Sequence, residues 1–72
     1  MKIKGKISHQ NIGPGFWGII GQDGQEWRPL QMPSELQKEG LSVEIEAEEA
    51  DEMMSVFMWG TAIQIIRYKI LN

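Results

Sequence analysis

Apolar and charged residues alternate one for one in two stretches of this chain, and that period of two limits the folds open to it. Lys2, Lys4 and Lys6 interleave with Ile3, Gly5 and Ile7, and Glu44, Glu46 and Glu48 interleave with Val43, Ile45 and Ala47. A strand turns successive side chains to opposite faces, so each stretch reads as a strand with one wet and one dry face. A chain of 72 residues buries only about 60% of its unfolded surface. One small domain over residues 1–72 is therefore expected. With no cysteine present, disulfides, thiolate zinc sites and thiol nucleophiles are excluded.

Turn residues divide the rest. Asn11-Ile12-Gly13-Pro14-Gly15 reads as a loop, and Phe16 to Gly21 as a second strand. Asp23-Gly24 reads as a two-residue hairpin turn, because both positions tolerate positive φ. A third strand runs from about Glu26 to Gln31. Pro29 cannot donate a ladder hydrogen bond and belongs where that strand is unpaired. Ser34 as N-cap, Gln37 three residues later and Gly40 at the C-terminal end predict a short helix over Glu35 to Glu39. The fourth strand is Val43 to Glu48. A turn near Ala50-Asp51 leads to a fifth over Met53 to Trp59, which Gly60 bends before Ala62 to Tyr68 continues.

Five strands with one helix between the third and fourth match the order of an OB-fold barrel, an all-β fold. An SH3-like barrel or an open five-strand meander is the fallback. In the OB order the first strand lies beside the fourth, which sets the lysine row against the glutamate row. Opposite charges across strands contribute about 0.2–1 kcal/mol each.

The run Gly15-Phe16-Trp17-Gly18-Ile19-Ile20, the Asp23-Gly24 turn, and Leu36-Gln37-Lys38-Glu39-Gly40 leading into Val43-Glu44-Ile45-Glu46 resemble the layout of cold-shock domains. That resemblance covers roughly residues 15 to 49 and implies an OB barrel binding single-stranded nucleic acid. The chain is also similar to small prokaryotic single-barrel domains that carry a Gly-Phe-Trp-Gly-Ile-Ile-Gly stretch and a Met58-Trp59-Gly60-Thr61 stretch. This second resemblance implies a fold and no activity. The cold-shock motif places a basic residue ahead of Gly-aromatic-Gly-aromatic, whereas here Pro14 precedes Gly15, and Phe16 and Trp17 are adjacent. Adjacent strand residues point to opposite faces and cannot form one stacking platform. Glu26-Trp27-Arg28-Pro29 replaces the second aromatic motif. Seven Lys plus Arg against ten Asp plus Glu give a net charge of −3, which argues further against a nucleic-acid partner.

A two-residue Asp23-Gly24 turn sets Ile20 opposite Trp27, Ile19 opposite Arg28 and Trp17 opposite Leu30. One face then carries Phe16, Gly18, Ile20, Trp27 and Pro29. The other carries Trp17, Ile19, Glu26, Arg28 and Leu30, and its charges send it outward. Trp17 and Arg28, with Ile19 and Leu30, form the expected binding patch, since aromatic and arginine side chains are frequent hot spots. A turn at Ala50-Asp51 pairs Val43 with Met58 inward, and Glu44 with Phe57 and Ser42 with Trp59 outward. Phe57 and Trp59 join the candidate surface, covered by lysine stems or by a homodimer contact.

Catalysis finds little support: one histidine, no cysteine, and no serine in a nucleophile context. Gly13-Pro14-Gly15 opens no helix and lacks the amide nest of a phosphate loop. His9 with Met53, Met54, Met58 and Trp59 contains soft ligands that suit copper(I), a remote reading beside the gap-filling role of core methionines. The carboxylates of Glu44 to Asp51 lack calcium-loop spacing. No run is apolar for long enough to span a bilayer or form a signal peptide. The expected function is a non-enzymatic, cytoplasmic OB-fold binding module without cofactor or metal. Its partner is another protein or a second copy of itself, with single-stranded nucleic acid as the alternative.

Overall fold

The computed structural model describes residues 1–50 and 59–71. The strands are β1 (Lys2–Gln10), β2 (Phe16–Gly21), β3 (Glu26–Pro29), β4 (Ser42–Glu49) and β5 (Thr61–Ile70), with a 3-10 turn at Ser34–Leu36 between β3 and β4. They close into a barrel in the order β1-β2-β3-β5-β4, with β3 and β5 parallel and every other pair antiparallel. This all-β barrel is OB-fold-like. No helix among the described residues is long and apolar enough to cross a membrane.

Closure depends on β1, which serves two partners. Its first half pairs with β4 and its second half with β2, and Gly5 stands in both registers, opposite Val43 and opposite Gly21. A β-carbon on Gly5 would lie 2.2 Å from the Ile20 carbonyl oxygen. Only glycine lets the two backbones come this close.

The lysine and glutamate rows do lie side by side. Lys2 faces Glu46 and Lys4 faces Glu44, and the Lys4 ammonium sits 3.8 Å from the Glu44 carboxylate. Lys6 faces Ser42 instead of a third glutamate, and Arg67 of β5 takes Glu46 at 2.6 Å. Opposite faces of the same strands supply the core, built from Ile3, Ile7, Val43, Ile45 and Ala47 with Ile19, Leu36 and Ile63.

Three expectations need correction. The helix over Glu35 to Glu39 is only the 3-10 turn; Pro33 precedes it and no side chain caps it. Gly40 does adopt positive φ, but its N–H donates to the Ile7 carbonyl at 2.8 Å, so the loop is stapled to β1 and no Schellman ending forms. The second correction concerns β4, whose partner is β5 over residues 63–70, with Val43 opposite Ile70 and Glu49 opposite Ile63. The expected pairings of Val43 with Met58 and of Ser42 with Trp59 are therefore replaced. The expected strand over 53–58, including Phe57, lies outside the described residues.

The third is the β2–β3 register. Ile19 faces Trp27 and Ile20 faces Glu26, one residue away from the expected pairing. The Gly21 N–H donates to Gln25 at 2.7 Å, the Gly24 N–H donates to Gly21 at 3.0 Å, and Gly24 takes φ +87°. The loop is therefore Gln22-Asp23-Gly24, a three-residue connection with a left-handed glycine last. One residue of slip moves a whole strand's side chains to the other face. Trp17 and Ile19 turn inward with Trp27, and Phe16, Gly18 and Ile20 turn outward with Arg28.

Gly5→Ala is expected to prevent folding, because the clash is with backbone at the point of closure. Loss of the cooperative thermal transition in circular dichroism checks this; a folded variant with a native-like midpoint contradicts it.

Candidate binding surface

Ile19 is fully buried, and Trp17 packs half-buried against the core, its ring 4.9 Å from that of His9 in an edge-on contact. Neither stands on the outer face, so the expected patch of Trp17 beside Arg28 does not form. Arg28 does lie on the outer side of β3, but it is only 8% exposed. Its Nε donates to the Trp59 carbonyl oxygen at 3.2 Å. A buried guanidinium requires such partners, since its desolvation is otherwise uncompensated.

Trp59 is the neighbour that supplies this acceptor. It lies just ahead of β5, and its indole rests on the outer face of β2 over Gly18: a β-carbon there would fall 2.4 Å from the far edge of the ring. The ring also meets Phe16 edge-on, with centroids 5.5 Å apart. Two expected residues, Arg28 and Trp59, are thus brought together, and two unexpected ones, Phe16 and Gly18, complete the cluster. The signal for the latter was in the sequence. Phe-Trp-Gly-Ile-Ile-Gly has no polar side chain on either face, a pattern of strands covered on both sides.

Leu30 is separate. It is 50% exposed and opens onto a groove of about 630 Å³ between β5 and the segment leading into the 3-10 turn. Met32, Ile66 and Tyr68 also line it. At one end the Tyr68 hydroxyl donates to the Glu35 carboxylate. That hydrogen bond holds the phenol above its ordinary value of 10.0, with desolvation and the charge of Glu35 adding to it. Because the folded value is raised, the contribution to stability is whole below the unfolded value and fades as pH rises through the folded one.

Among the described residues, no three His, Asp or Glu side chains converge on one point. Met53, Met54 and Met58 lie outside the described residues. No protein-family model, curated protein or solved structure matches this chain.

Two outcomes are expected. Gly18→Ala should displace the Trp59 indole while leaving the barrel folded, since the far end of a side chain can move where backbone cannot. A shifted Trp59 indole N–H resonance in an otherwise native spectrum checks this, and an unmoved resonance contradicts it. The single tyrosine should ionise above 10.0 in an absorbance titration, and Glu35→Ala should lower its midpoint.

Proposed function

We propose that this chain is a non-catalytic, cytoplasmic binding module of the OB-fold type, kin to small single-barrel domains, that associates with a second polypeptide through the outer face of β2 and β3. The first partner to test is its own copy. One observation carries the reading: β2 is apolar on both faces, yet a barrel strand has only one face toward the core. Its outer side chains Phe16 and Ile20 are only half-buried, with Trp59 laid against Phe16. An aromatic pair next to a held arginine is the composition of an interface centre.

The same pair supports a second reading, in which Phe16 and Trp59 stack on unpaired bases beside Lys6. Charge weighs against it. Lys4 and Arg67 are engaged by Glu44 and Glu46, so no basic stripe tracks a phosphate backbone.

Sedimentation across a wide concentration range is expected to show reversible association of the wild type. Trp59→Ala should weaken it while the thermal transition persists. Concentration-independent monomers would remove the self-association reading. Fluorescence titration with a single-stranded oligonucleotide should show no more than salt-sensitive binding, in the range of about 10⁻⁴–10⁻⁶ M typical of non-specific contacts. Salt-resistant submicromolar affinity would promote the second reading.

A further inference from the structure

The parallel β3–β5 ladder runs only from Trp27–Thr61 to Pro29–Ile63, and the last bond across it is from the Leu30 N–H to the Ile63 carbonyl. β3 then turns away toward the 3-10 turn, while β5 continues to Ile70. Among the described residues, nothing pairs with this edge of β5 beyond Ile63. On the other edge, the Leu71 N–H donates to Ser42. Antiparallel alternation then points residues 67 and 69 toward β4, and the N–H and C=O groups of Tyr68 and Ile70 toward the open edge.

The edge is equipped in two further ways. The β4–β5 register breaks between Glu46 and Ala47, which face Arg67 and Ile65, so Ile66 is an extra residue with no partner. It is 54% exposed, the most exposed large apolar side chain among the described residues, and it shares the groove with Leu30 and Met32. Bulges of this kind redirect a side chain or end a pairing. On the outer face stand Arg67, its side chain 78% exposed despite its contact with Glu46, and Lys69, which makes no ion pair among the described residues.

The geometry points to this edge as a docking site for an extended segment of a partner protein in which apolar residues alternate with carboxylates. Its backbone would continue the sheet beside Tyr68 and Ile70, a strand-addition mode of recognition. Its apolar side chains would fill the groove against Leu30, Met32 and Ile66, and its carboxylates would face Arg67 and Lys69. The complementarity already has an example in the molecule. β4 occupies the other edge of β5 with such a pattern, setting Glu44 opposite Lys69, Glu46 opposite Arg67, and Val43 and Ile45 opposite Ile70 and Tyr68. A second copy pairing edge to edge through β5 is less suited, because a two-fold at Tyr68 would set Arg67 against Lys69 of the other copy, and like charges directly opposite are destabilising. This inference is independent of the surface around Trp59.

The test uses a short blocked peptide alternating valine with glutamate, and the same peptide with lysine in place of glutamate. Titration into the isotope-labelled protein is expected to shift and protect the Tyr68 and Ile70 amides with the glutamate peptide only. Lys69→Gln should weaken binding roughly two- to fivefold, as losing one cross-strand charge pair does. Ile66→Lys, at an exposed position, should abolish it in a protein that still melts cooperatively, and Trp59→Ala should leave it intact. The proposal is overturned if neither peptide binds, if both bind equally, or if the shifts fall on β1 and on the Arg67 and Lys69 amides that face β4, as strand exchange would cause. It is overturned also if protection of the β5 amides appears without peptide and vanishes on dilution, which would identify the occupant as a second copy.

Discussion

Two backbones pass each other at Gly5 with no room for a methyl group, and the barrel exists because they can. β1 hands over there from β4 to β2, so one strand supplies both neighbours of the closing seam. The benefit is the removal of edges that a chain this short has no spare elements to cover. The alternating lysines and glutamates are a consequence of this seam. They meet because β1 and β4 are adjacent, and exposed pairs of this kind contribute only about 0–1 kcal/mol each. Burial of the isoleucines on the opposite face stabilises the barrel more, by about 1.5–3 kcal/mol for each side chain withdrawn from water.

The barrel closes through a short ladder on one side, where β3 meets β5. β3 is four residues long and β5 is ten. The longer strand outruns the shorter, and among the described residues nothing pairs with the far half of β5 on that side. Across the barrel, β2 has the opposite excess: its side chains are apolar on both faces, and only one face can be core. Trp59, arriving from the connection ahead of β5, lies over part of the remainder and holds Arg28 through its carbonyl. An edge unpaired among the described residues and an over-apolar face are both costs to an isolated domain, which is why both are proposed as contact surfaces.

The Gln22-Asp23-Gly24 loop shows how narrowly a surface is decided. Asp-Gly suits a two-residue turn, and it also suits the end of a three-residue loop whose last position is left-handed. Both use the glycine's freedom at positive φ equally well. Core packing separates them. The three-residue loop seats Ile19 opposite Trp27 inside the barrel, whereas the two-residue loop would have left Ile19 and Trp17 in water.

Periodicity in the sequence determined β1 and β4 with their wet and dry faces, and the succession of strands matched an OB-like order that set lysines beside glutamates. The faces are local consequences of alternation, legible because each strand's pattern is internally consistent. The identity of the exposed side chains was decided elsewhere. The register of β2 depended on which residues the other strands left room for. The partner of β4 depended on a pairing across a long connection, and the bulge at Ile66 on a mismatch between two strands already fixed in place. In place of the expected helix there is a short 3-10 turn, and the Gly40 N–H donates across to Ile7 of β1 instead of back to its own preceding turn. Each of these is a choice between locally equivalent conformations, and only non-local contact supplies the energy difference that makes it.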